Sequence, residues 1–401
     1  MAQLPSHVRV AFLFRSFTLT LVLLATPLAA RAQDSRADQI AAEQADKAKR
    51  LGPEQPGLGE RFIVRVLSSP LLTGAGGVYP WFGTVYNGAG FAAGVGFLHR
   101  LPHKGSVSVT AASSINGSLL GDADWRVPIP EWTRLRARLN ARWVDAKNVS
   151  FYGVGSRTEI DDKTPFDYEP LRVQATLDAN LLRWLKLSAE YGYLDASTSA
   201  DLQGQPASSF VGLGESLRFF TAGAGIAADW RTSPGYSTSG GLVRMNWDRY
   251  EARESAPYTF DNVEFEAVQL VPALREQYVF AFRILATATH LGQGSNVPFA
   301  LLPTIGGGDT VRGYFNRRLA DRSRALATAE YRWRPSRYVD MAIFLDSGTV
   351  APRLKDIGDE RLITSWGIGA RLHGPNFTAL RIEAARGHEG WALVFSSGQP
   401  F

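Results

Sequence analysis

The stretch "RLRARLNARW" (Arg134–Trp143) narrows the folds open to this chain more than any other feature. Arg134, Arg136, Arg138, Asn140 and Arg142 alternate with Leu135, Ala137, Leu139, Ala141 and Trp143. A period of two puts the polar side chains on one face of a β-strand and the apolar ones on the other; a helix would scatter the arginines around its circumference. The alternation returns at Arg324–Arg334, where Arg324, Leu326, Thr328, Glu330, Arg332 and Arg334 oppose Ala325, Ala327, Ala329, Tyr331 and Trp333. In Tyr338–Asp346, Val339, Met341, Ile343 and Leu345 share a face opposite Asp340, Phe344 and Asp346. In Phe377–Ala385, Arg381 and Glu383 oppose Thr378, Leu380, Ile382 and Ala384.

One such strand would suit a soluble sandwich. A succession of segments of roughly ten residues, apolar on one side and charged on the other, is instead the pattern of a transmembrane β-barrel. The apolar faces are rich in alanine and carry Trp143, Trp184, Tyr331 and Trp333 at expected strand ends, as interfacial girdles do.

The N-terminus reads as an export signal. Arg9 and Arg15 precede an apolar core, Phe17–Ala30, and Ala30-Arg31-Ala32 supplies a small-x-small cleavage site. Residues 1–32 are therefore expected to be a signal peptide, residues 33–60 a short periplasmic helix and linker, and residues 61–401 the barrel. The chain has no cysteine, which excludes disulfides and thiolate chemistry. Its formal charge of +5 falls to +2 without the signal's Arg9, Arg15 and Arg31, too near neutral for a nucleic-acid binder. Fourteen to sixteen strands are expected, sixteen being favoured. Residues 155–167 and 197–217 read as external loops.

"GGGDTVRGYFNRR" (Gly306–Arg318) looks like a phosphate cradle, but no lysine follows the glycines as the Walker pattern requires. Its strand-rich neighbourhood also lacks the helix of a dinucleotide site. Val311-Arg312-Gly313-Tyr314 resembles the V-R-G-[FY] signature of the outer-membrane assembly-factor superfamily, the bacterial surface antigen type. That family includes BamA- and TamA-like insertases and two-partner-secretion transporters. Phe344-Leu345-Asp346-Ser347-Gly348 resembles its F-x-D-x-G strand, and Glu330-Tyr331-Arg332 its E-x-R strand. The resemblance implies an all-β, antiparallel barrel whose late loop folds inward and plugs the lumen, with Arg312 meeting wall carboxylates. Alternation separately places Glu330, Arg332 and Asp346 on the polar face.

The resemblance further implies a role in inserting, assembling or translocating polypeptide or lipid at the bacterial outer membrane, through a seam between first and last strands. The seam is sought at the strand Gly90–Leu101, with Gly94 and Gly96, and at Trp391–Phe401, with Gly398, Pro400 and the terminal Phe401. Members usually carry periplasmic polypeptide-binding modules; Gln33–Glu60 has no room for one, so either a separate periplasmic partner captures clients or the barrel does something else. Outer-membrane lipid and lipopolysaccharide are the other expected partners.

A competing expectation is a passive channel whose strip Arg134, Arg136, Arg138 and Arg142 favours anions. An enzyme is not expected. Ser156 in "YGVGSRT" lacks the G-x-S-x-G arrangement, and the six histidines show no metal-ligand spacing. No cofactor or metal is expected, and Glu159, Asp161 and Asp162 read as solvated loop charge.

Overall fold

A computed structural model describes residues 76–401 except 130–133, 203, 205, 254–256, 275, 397, 399 and 400. The expected signal peptide (1–32) and helix with linker (33–60) lie outside the described residues. The chain runs through β1 (Gly77–Gly83), β2 (Ala92–Leu101), β3 (Gly105–Ser114), β4 (Leu119–Pro128), β5 (Leu135–Phe151) and β6 (Thr164–Asn180). It continues through β7 (Leu185–Ala200), β8 (Leu217–Asp229), β9 (Gly240–Ala252), β10 (Phe260–Ala273) and β11 (Tyr278–Leu291). A long connection holds the two-residue strands β12 (Thr304–Ile305) and β13 (Leu319–Ala320), paired with each other. Then come β14 (Ser323–Ser336), β15 (Val339–Ala351), β16 (Ile363–His373), β17 (Thr378–Gly387) and β18 (Gly390–Ser396).

Without β12 and β13, these form one 16-stranded antiparallel sheet in which every strand pairs with its chain neighbours. The sheet curls into a nearly closed barrel, and among the described residues no ladder joins β1 to β18. Alternation dictates which way the sheet curls. On β15, Ile343 and Leu345 are 48% and 50% exposed, while Phe344 and Asp346, which alternate with them, are 5% and 0% exposed. A water-soluble protein would reverse that arrangement; an outward apolar belt is a lipid-facing surface. No helix among the described residues is long and apolar enough to cross a membrane.

Connections divide by length between the two ends. One end carries 152–163, 201–216, 292–322 and 352–362, the other mostly short turns such as 102–104, 181–184 and 337–338. The loops expected at 155–167 and 197–217 are shorter than their polarity suggested. Asp167 pairs with Ser199 and Tyr168 with Thr198, so β6 and β7 extend past the apolar belt, where outward residues can be polar. One alternation also breaks. The β16–β17 register shifts between Leu372 and His373, which turns Thr378 to the inside, 5% exposed, rather than onto the face of Leu380.

Buried apolar side chains cluster at the loop end of the interior. Phe299, in the connection after β11, meets Phe151, Phe166 and Phe210 at ring-centroid distances of 5.1, 4.8 and 5.3 Å. Such tilted aromatic packing combines large area burial with favourable ring electrostatics. Phe299→Ala should therefore destabilise the refolded barrel by about 3–5 kcal/mol, read as a lower urea midpoint with an unchanged slope.

Candidate functional site

The Gly306–Arg318 loop folds back on itself before it reaches the wall. Gly306 and Gly307 adopt φ of 116° and 95°, a region closed to most side chains. The Gly307 amide donates to the Tyr314 carbonyl at 3.2 Å, and the Gly306 amide to Thr310 Oγ1 at 2.8 Å. This narrow bend presents Arg312 at its tip. Gly313 follows because a Cβ there would collide with the Gly387 backbone and Ser365.

Arg312 is 2% exposed and uses its whole guanidinium. Nε donates to Asp346 Oδ2 at 2.8 Å and Nη2 to Asp346 Oδ1 at 2.7 Å, a bidentate pair. Nη1 donates to Glu330 Oε1 at 2.7 Å and to Glu383 Oε1 at 3.1 Å. The Arg312 backbone amide adds a bond to Asp346 Oδ2 at 3.2 Å, and the Phe344 ring lies 3.4 Å from Cζ. β14, β15 and β17 each contribute one carboxylate, so the loop is tied to three strands at once.

The wall completes the cluster. Arg332 Nε donates to Glu330 Oε2 at 2.8 Å, and Arg371 Nη2 bridges Glu330 Oε2 at 2.9 Å and Glu383 Oε1 at 3.0 Å. Thr328 Oγ1 donates to Asp346 Oδ1 at 2.9 Å. Tyr314 Oη donates to the Thr364 carbonyl at 3.3 Å and accepts the His388 amide at 3.2 Å. Gly348 lies beneath Ile305 and Leu326, where a Cβ would press on both. Of the residues the sequence singled out for this loop, Arg312, Gly313, Tyr314, Glu330, Arg332, Phe344, Asp346 and Gly348 thus lie in one neighbourhood. Glu383 and Arg371 were not singled out. Alternation had turned Glu383 inward, but nothing in its spacing connected it with a loop 71 residues away.

The other expected sites are rearranged. Arg134 precedes β5, and its Nη1 donates to the Leu181 carbonyl at 3.3 Å in the neighbouring turn. Arg136, Arg138 and Arg142 do share the inner face of β5, but Arg138 is paired with Asp124, and Arg142 Nη2 donates to the Val85 carbonyl at 3.0 Å. Gly94 and Gly96 are not at the seam. They lie in β2, opposite Trp81 and Tyr79 of β1, and Gly96 makes room for the Tyr79 ring. The edge strand is β1, whose Pro80 withholds one backbone donor.

Strand β18 ends at Ser396, so neither Gly398 nor Phe401 extends it. The Gly398 amide donates to the Thr378 carbonyl at 3.0 Å. The Phe401 ring sits inside the barrel, packed on the cluster of Leu242, Val268, Leu270, Val279 and Ala281, with the Arg332 guanidinium 5.0 Å away. An apolar inner wall holds the Phe401 ring inside in place of the seam position expected for it. At Glu159–Asp162 the acidic run forms a capping box on a short 3-10 turn.

Chemically, the Arg312 cluster is a clamp. Its cations and carboxylates hold one another, and it presents no nucleophile next to a base. Among the described residues no group of three His, Asp or Glu could hold a metal ion. The unsatisfied feature is elsewhere: among the described residues β1 and β18 are each paired on one side only, leaving two rows of backbone donors and acceptors.

The Omp85 superfamily domain matches residues 109–390. Among solved structures, BamA from Haemophilus ducreyi lacking POTRA domains 1-3 aligns with a TM-score of 0.63 at 16% identity, over 80% of this chain and 70% of that one. CdiB from Escherichia coli aligns with a TM-score of 0.55 at 12% identity, over 79% and 61%. CdiB from Acinetobacter baumannii gives 0.50 at 12% identity, over 80% and 58%. The chain thus spans less than two thirds of either CdiB chain, and at these identities the likeness is one of fold. No curated protein sequence matches it.

Proposed function

The chain belongs to the Omp85 superfamily, and from that premise we propose that its barrel assists the insertion, assembly or translocation of polypeptide at the outer membrane. The observation that carries this reading is the open edge. A barrel normally abolishes its edges, and an unpaired strand edge is a template for another extended chain. Here, among the described residues, β1 and β18 are both unpaired on their outer sides. An incoming segment would satisfy its backbone on one of these edges while the Arg312 cluster holds the adjoining wall rigid. Clients would arrive by way of a separate periplasmic partner, and outer-membrane lipid and lipopolysaccharide would surround the belt.

The passive-channel reading fares less well. Arg138 is paired with Asp124, Arg142 is bound to the Val85 carbonyl, and buried apolar side chains cluster at the loop end.

The absence of native cysteine allows a direct test. Val78 and Phe395 lie on the outward faces of β1 and β18 and are 71% and 58% exposed. With cysteines at both positions joined by a bismaleimide, the barrel in proteoliposomes should no longer accelerate folding of an unfolded outer-membrane barrel. The uncrosslinked protein should accelerate it. Equal acceleration with and without the crosslink would overturn the seam reading.

A further inference from the structure

We propose that Arg317 and Arg318 form a clasp that holds the two edges of the seam together at the loop end, so that the seam opens as a wedge from the turn end only. The inference rests on the seam reading above and adds a direction to it.

The two arginines are adjacent in sequence but grip opposite sides of the gap. Arg317 Nη1 donates to Tyr86 Oη at 3.1 Å, in the connection between β1 and β2. Arg318 Nε donates to Glu389 Oε1 at 2.7 Å, in the turn between β17 and β18. Each is held at a second point. Arg317 Nη2 donates to the Ala300 carbonyl at 3.3 Å, and Arg318 reaches Thr158 Oγ1 at 3.0 Å and the Thr158 carbonyl at 2.7 Å. Neither side chain is a flexible surface group: they are 6% and 3% exposed.

The backbone explains how neighbours can point apart. Arg317 has φ of 57°, the left-handed region that a long side chain rarely adopts. Strain of this kind persists only where surrounding contacts enforce it, and it clusters at functional positions. Here the turn of the chain at Arg317 sends one guanidinium toward β1–β2 and the next toward β17–β18. Gly313 and Tyr314 add contacts to the same β17–β18 turn, through Gly387 and the His388 amide. Arg142 fixes the β1–β2 connection to the wall through Val85.

Among the described residues the turn end has no counterpart. Among the described residues no hydrogen bond or ion pair joins β1 to β18, and the chain beyond β18 heads away from β1 through Gly398 and Thr378. Strands tied at one end and free at the other separate most at the free end. Short turns mark the periplasmic side of such barrels and long loops the external side. The mouth of the wedge therefore faces the periplasm, where an extended polypeptide can enter, while the external end stays closed to its exit.

Spin-label distance measurements on the full barrel in lipid nanodiscs test this. One pair sits at the loop end, Asn87→Cys with His388→Cys, both exposed; the other sits at the turn end, Val78→Cys with Phe395→Cys. The expected result is a narrow distribution for the loop-end pair and a broad one for the turn-end pair. In Tyr86→Phe with Glu389→Met, which remove the two acceptors while keeping much of the side-chain volume, the loop-end pair should lose its narrow peak and the turn-end pair should not sharpen. A loop-end pair that is broad in the parent barrel, or that stays narrow in the double variant, overturns the clasp and leaves the seam intact as an idea. Narrow distributions for both pairs in the parent overturn the clasp and the seam reading together.

Discussion

Arg312→Ala is expected to destabilise the barrel more than any other single substitution in the loop. Asp346 is fully buried, and once the guanidinium is gone its remaining hydrogen bonds come from two neutral donors, Thr328 Oγ1 and the backbone amide of residue 312. Leaving one partner of a buried ion pair uncompensated costs about 3–5 kcal/mol, so urea unfolding of the refolded protein should show a midpoint far below that of the parent. Asp346→Ala should cost less than Arg312→Ala, because the guanidinium keeps Glu330 and Glu383. The double variant should fall well short of the sum of the two losses, since each single change already breaks the same contact; simple additivity would sink the direct coupling. Arg312→Lys should rescue little, because one ammonium cannot reproduce a bidentate bond to Asp346 together with bonds to two further carboxylates.

The second large effect is expected in planar bilayers. The parent barrel should stay closed, and a variant lacking Gly306–Arg318 should pass a steady current. The reason lies in what the deletion takes away. Arg312 leaves the inner wall, and Arg317 no longer holds the Ala300 carbonyl, next to Phe299 in the apolar packing of the loop end. A large, anion-selective current through the parent would defeat this expectation and restore the passive channel as the better reading.

Much of the fold could be read from the chain because barrel strands repeat one simple physical demand. Lipid on one side and a polar interior on the other force a period of two, visible at Arg134–Trp143 and Val339–Asp346 alike. The inward set of Glu330, Arg332 and Asp346 followed from that period and is where the side chains lie. What alternation cannot express is a change of phase or a change of neighbour. The register shift beside His373 reversed Thr378 without leaving a mark in the residue types. Glu383 joined the Arg312 cluster because β17 lies two strands from β15 in the sheet, a fact of topology. The seam was misplaced for a related reason. Glycines suggested a weak edge at Gly94 and Gly96, but in β2 Gly96 makes room for the Tyr79 ring and Gly94 for the backbone of β3, and the edge itself is β1 with its proline. Phe401 looked like the end of a strand, whereas the inner-wall pocket beneath it is assembled from three strands and has no signature in any of them.

The order in which the Arg312 contacts can form also matters. Its carboxylate partners all come later in the chain, at separations of 18, 34 and 71 residues, and the last belongs to β17. Contacts closing longer loops cost more chain entropy and form later. A barrel halted at β14 or β15 therefore lacks Glu383 and leaves Arg312 with incomplete company. Only when β17 is laid down does the interior become electrically complete. The cluster in effect counts strands: it records, late in biogenesis, that nearly the whole wall has been built.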